Sequence, residues 1–99
     1  MKVSVIVSTY NRADALRLCV KSLIKQSIRP FEVIVVDDGS LSPDVGQLVG
    51  FCSEKSVNLK YCWQPDKGFR LARSRNLGAS KANGDWFIFV DGDCVFAEN

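Results

Sequence analysis

Histidine is absent from these 99 residues. That absence excludes Ser-His-Asp and Cys-His nucleophile systems and every metal site built on imidazole, so a metal held here must sit on carboxylates or thiolates. The four cysteines, Cys19, Cys52, Cys62 and Cys94, form no Cys-x-x-Cys pair, and each has apolar neighbours, the setting of reduced, buried thiols. No apolar run approaches the roughly 20 residues that a membrane-spanning helix needs. The opening run, Val-Ser-Val-Ile-Val at 3–7, is too short for a secretory signal. Charge of one sign is also scarce. Thirteen basic and 11 acidic residues leave +2, too slight a bias for a nucleic-acid or anionic-membrane surface. These absences predict a cytoplasmic chain with no transmembrane segment and no nucleic-acid partner. What is present, 46% hydrophobic and 24% charged residues, is ordinary globular composition, and the length allows one core, so residues 1–99 read as a single domain.

Apolar patterning alternates between two periods. Residues 3–7, 31–36 and 86–90 are nearly continuous apolar and β-branched or aromatic runs, which predict strands covered on both faces. Leu59, Tyr61 and Trp63 alternate as a fourth strand. Between them, Leu16, Cys19, Val20, Leu23 and Ile24 recur every three or four residues and predict a helix over 12–26, with Asn11 as its N-cap. Val45, Leu48, Val49 and Cys52 mark a shorter helix after Pro43. Residues 69–82 form a third, whose small residues Ala72, Gly78, Ala79 and Ala82 suit close approach to a sheet and which Asn83-Gly84 ends. The order β-α-β-α-β-α-β, with right-handed crossovers, predicts an α/β fold: a Rossmann-like parallel sheet flanked by helices.

Every conspicuous polar cluster follows a strand: residues 8–12, 37–40, 64–67 and 91–93. In a parallel sheet these positions share the carboxyl edge, where open α/β folds bind ligands. The opposite loops lack paired carboxylates. Asp91-Gly92-Asp93 sets two carboxylates one residue apart on a turn, a donor set suited to Mg²⁺ or Mn²⁺, although the same three residues also suit a solvated turn. Asp37 and Asp38 point opposite ways, so one can face a ligand while the other fixes the loop; an Asx-turn with Ser40 as a cap fits equally. Lys67, Arg70, Arg73 and Arg75 gather near the start of the third helix, either for phosphate or as a solvated basic face. A Gly-x-Gly-x-x-Gly run after the first strand and a Walker A loop are both missing, which removes support for dinucleotide and P-loop binding.

Four blocks, residues 3–12, Asp37-Asp38-Gly39-Ser40, 68–78 with Arg75-Asn76-Leu77-Gly78, and 84–93 ending in Asp91-Gly92-Asp93, together resemble family 2 glycosyltransferases of the GT-A fold. The resemblance covers the whole chain and implies a partial GT-A, nucleotide-sugar-binding half. It implies Ser8 and Tyr10 as nucleoside contacts, Asp38 as the base-binding carboxylate with Asp37 in support, and Arg75 and Asn76 near the donor. Asp91 would lie near ribose or metal, and Asp93 would be the ligand of Mn²⁺ or Mg²⁺. The donor would be a UDP-sugar, and the acceptor a glycan or lipid-linked hydroxyl. The chemistry would be inverting transfer, and residues 64–76 resemble members that build bacterial surface polysaccharide. In a longer protein the site would lie at the inner face of the membrane. The family's general base lies beyond the segment resembled here, so it is expected past Asn99 and the 99 residues alone are expected to be inactive, to be truncated, and to self-associate through exposed apolar surface. Three other readings carry different signatures: a non-catalytic nucleotide-binding fragment, a nucleotidyltransferase-like domain, which would add a glycine-rich loop after the first strand, and a phosphoacceptor receiver, which would place acids after the first and third strands.

Overall fold

The computed structural model describes residues 2–10, 12–26, 30–39, 46–64 and 71–92. Seven elements follow the expected alternation: β1 (Val3–Thr9), α1 (Ala13–Ile24), β2 (Glu32–Asp37), α2 (Gly46–Glu54), β3 (Asn58–Trp63), α3 (Leu71–Lys81) and β4 (Trp86–Asp91). All strand pairs are parallel, in the order β3-β2-β1-β4. The chain therefore walks outward from β1 to β3 and then crosses back to place β4 on the other side of β1. The reversal makes the junction of β1 and β4 the switch point of the sheet, the place where open α/β sheets bind ligands.

Side-chain alternation along the strands builds two cores. Val5, Val7, Val33 and Val35 point to the face covered by α1 and α2 and pack with Leu16, Cys19, Val20, Leu23, Ile24, Leu48 and Cys52. Ile6, Ile34 and Val36 point to the opposite face, beneath Leu77 and Ala79 of α3 and Ala82 just after it. Gly78 sets how close α3 lies: a Cβ there would come within 2.3 Å of the Ile6 Cγ2 methyl and 3.2 Å of Val36. Ile6 is fully buried and β-branched, so it has little freedom to yield.

Three expectations change. The strand run at 86–90 is not covered on both faces: Trp86, Phe87, Ile88 and Phe89 are all exposed, because β4 is an outer strand and α3 lies over β1 and β2 instead. Val49 is half exposed and off the apolar stripe of α2, which rests on Leu48 and Cys52. Arg12 occupies the N-cap position of α1 without a side-chain cap; its carbonyl accepts the Leu16 N–H at 2.8 Å. Asn11, the expected cap, lies outside the described residues. Of the cysteines, Cys19 and Cys52 are buried, and burial pushes the Cys52 thiol up to about 11; Cys62 is half-buried. No helix among the described residues is long and apolar enough to cross a membrane.

The amino edge of the sheet is closed by a buried carboxylate. Glu32, first residue of β2, is inaccessible to solvent. Its Oε2 accepts the Ser4 hydroxyl at 2.6 Å and the Asn83 N–H at 2.5 Å, while Oε1 meets the Lys60 ammonium 2.8 Å away. Lys60 also donates to the Lys81 carbonyl, and the Gly84 N–H to Ser4 Oγ, so the exit of α3 is tied to β1, β2 and β3. Burial alone would raise the Glu32 pKa; the bonds from Asn83, Lys60 and Ser4 outweigh it and hold the carboxyl below its ordinary range.

Candidate functional site

The strand register delivers the polar residues to the opposite, carboxyl edge. Ser8 and Asp91 are direct partners across β1 and β4, and Thr9 is the partner of Asp37 across β1 and β2. Tyr10 follows β1 immediately and is half exposed. Past the strand ends the ladder continues: the Asp38 N–H donates to the Thr9 carbonyl at 2.9 Å, the Gln64 N–H to the Asp37 carbonyl at 2.9 Å, and the Gly92 N–H to the Ser8 carbonyl at 2.8 Å. Gly92 must be small, since a Cβ would lie 2.8 Å from that same Ser8 carbonyl and 3.1 Å from Thr9 Cβ. The turn that carries Asp91 is thus strapped against β1.

The two aspartates of β2 do separate by face. Asp37 is buried, and its carboxylate accepts the Tyr61 hydroxyl from β3. Burial, then the hydrogen bond to Asp37 and that group's charge, raise the Tyr61 pKa above its ordinary range, so the phenol stays a donor. Asp38 is only partly buried and turns to the α3 side, where Gln64 Nε2 donates to its Oδ1 at 3.1 Å and to Ser74 Oγ of α3 at 3.0 Å. On α3, Arg75 is exposed and holds its guanidinium over the Phe89 ring, 5.7 Å from the centroid. Phe89 and Asp91 are two residues apart, so Arg75 lies over the face of β4 that carries Asp91. Asn76 and Arg73 are exposed on the same helix.

Ser8, Asp38 and Asp91 thus share one rim, Asp37 stands behind it, and Arg75 overhangs it. Asp93, Lys67, Arg70 and Ser40 lie outside the described residues. Among the described residues no three His, Cys, Asp or Glu side chains gather into a metal cage. Sequence reasoning passed over Gln64 as one member of a polar loop and Tyr61 as one member of an alternating strand; a polar residue directly after a strand, opposite paired carboxylates, is the signal that would have found Gln64.

The description Glycosyl transferase family 2 matches residues 4–99. The chain belongs to this family. Among family 2 glycosyltransferases it is 38% identical over 98 residues to an uncharacterized glycosyltransferase of Rickettsia bellii, covering 99% of this chain and 14% of that protein. It is 38% identical to the hyaluronan synthase of Pasteurella multocida over 97% of this chain and 10% of the synthase. The crystal structure of S. aureus TarS 1-349 in complex with UDP-GlcNAc superposes with a TM-score of 0.75 at 38% identity, over 94% of this chain and 27% of that one. The chain spans well under a third of the length of each of these family 2 proteins.

Proposed function

We propose that this family 2 chain is the donor-binding part of an inverting, metal-dependent glycosyltransferase that moves a sugar from a UDP-sugar to the hydroxyl of a glycan or lipid-linked acceptor, in the synthesis of bacterial surface polysaccharide. The observation that carries the reading is the meeting of Ser8, Asp38 and Asp91 on one rim at the switch point between β1 and β4. The S. aureus neighbour bound to UDP-GlcNAc supports a uridine donor.

In this reading Tyr10 lies against the base and Ser8 contacts the nucleoside. The Asp38 carboxylate accepts the imide N–H of uracil, while Asp37, gripped by Tyr61, keeps the loop in place. Arg75 and Asn76 face the diphosphate and sugar. Asp91, exposed at the end of β4, bonds the ribose, and its carboxylate oxygens, with those of Asp93, fit a hard cation and would hold Mn²⁺ or Mg²⁺. Such a cation neutralises the charge that grows on a departing diphosphate. The chain's own part is to orient the donor so that the anomeric carbon faces an incoming acceptor hydroxyl.

Calorimetric titration with UDP, with and without Mn²⁺, tests this. UDP should bind, more tightly with Mn²⁺, and Asp38→Ala should weaken binding about tenfold, the worth of one hydrogen bond to a charged group. Undiminished UDP affinity in Asp38→Ala would remove the base contact, and an unchanged Mn²⁺ effect in Asp93→Ala would remove the metal site.

A further inference from the structure

We propose that Gln64 is a positioning residue that sets the base preference of the donor site by fixing the orientation of the Asp38 carboxylate; this rests on Asp38 being the uracil contact proposed above. Gln64 is the first residue after β3 and is only 6% exposed. Packing alone has no use for an amide there, because a buried polar group costs free energy unless it is bonded. Here both amide protons have acceptors, Asp38 Oδ1 at 3.1 Å and Ser74 Oγ at 3.0 Å. The amide can point only one way. A carboxylate is acceptor-only, so the reverse orientation would set a carbonyl oxygen against Oδ1.

The main chain is fixed in the same place. Asp38 donates its N–H to Thr9, and Gln64 donates its N–H to Asp37, so both residues are held in the extended ladder before their side chains meet. Through Ser74 the amide is also tied to the turn of α3 that carries Arg75. A lysine or arginine in this position would set a positive charge beside Asp38; an amide orients the carboxylate through a neutral donor.

Orientation is what separates the bases. Uracil offers an N3–H that a fixed carboxylate accepts. Cytosine offers a lone pair at N3, which a carboxylate in the same position repels, and an amino group at C4, which a carboxylate free to swing can reach instead. Removing Gln64 should therefore relax discrimination rather than abolish binding.

The test measures affinities for UDP, CDP and inorganic pyrophosphate, each with Mn²⁺, for the wild type, Gln64→Leu, Gln64→Asn and Asp38→Ala. In Gln64→Leu the preference for UDP over CDP should fall about tenfold, the size of a charge-assisted hydrogen bond, with pyrophosphate affinity unchanged. Gln64→Asn, too short to span Asp38 and Ser74, should fall in the same direction and serves if the leucine variant does not fold. A general structural defect would weaken all three ligands together. Retention of the full UDP preference in a folded Gln64 variant, or equal loss for all three ligands, overturns the proposal. A wild type with no UDP preference, or an Asp38→Ala variant that keeps it, instead overturns the Asp38 reading on which the proposal rests.

Discussion

Strand β2 begins and ends with a buried carboxylate, and the two are treated differently. Glu32, at the amino end, is surrounded: a hydroxyl, a main-chain N–H and an ammonium group converge on it. Asp37, at the carboxyl end, is held by the Tyr61 phenol, and next to it Asp38 is oriented by the Gln64 amide. A charge matched by an opposite charge is committed to structure. Asp37 and Asp38 instead accept bonds from the side chains of β3 and of the residue that follows it, so their positions are set by the neighbouring strand at the edge where the candidate site lies. Within one six-residue strand, the chemistry of the partners separates the end that holds the fold together from the end that faces the site.

The largest effect should come from the amino end. Lys60→Met leaves Glu32 buried without its cation; with the Lys60 side chain 28% exposed, a loss of about 2–3 kcal/mol is expected, below the cost for a fully buried pair, and urea unfolding reads it. Because the folded-state pKa of Glu32 lies below the usual 4.5, its contribution is intact above that pH and fades as pH falls below it. Acid titration of stability should show that decline in the wild type and a shallower one in Lys60→Met. Comparable losses of UDP affinity in the folded Lys60 variant would break the division between the two ends.

A smaller effect is expected at the other end. Tyr61→Phe should cost about 1.5 kcal/mol, the low end for a hydrogen bond to a charged acceptor. The raised Tyr61 pKa means the folded state keeps a proton that the unfolded chain loses above its ordinary 10.0, so this contribution holds below pH 10 and declines as pH rises past it. Alkaline unfolding of wild type against Tyr61→Phe sharpens the contrast with the acid-sensitive end. Smallest of all, Asp91→Asn should leave stability within about 0.5 kcal/mol, as an exposed residue should, while UDP binding falls. A stability loss as large as that of Lys60→Met would make Asp91 a structural residue.

Much of this was legible in the chain. The period of Leu16, Cys19, Val20, Leu23 and Ile24 predicted a helix with one apolar face, and all five are buried. The position of the polar clusters after strands predicted the edge they occupy, because a parallel sheet leaves no other place for them. What local pattern could not carry is strand order. Residues 86–90 are as apolar as residues 33–36, yet one strand is the outermost of four and the other is central. Glu32 falls inside the strand expected over 31–36 with no local feature to mark its role; its pairing depends on Ser4, Lys60 and Asn83, which come from distant parts of the chain. Gln64 stood in a polar loop whose other members are equally hydrophilic, and only the crossing of α3 selects it.

Strand β1 alone has neighbours on both sides of the reversal in strand order. Its last residues consequently belong to two half-sites at once, Thr9 to the aspartate pair and Ser8 to the turn of Asp91. A shift of this strand along its axis, such as overpacking between Ile6 and Gly78 would provoke, displaces the Thr9–Asp37 pairing and the turn of Asp91 by the same amount. The two would therefore fail together, like the jaws of a clamp that share one hinge pin.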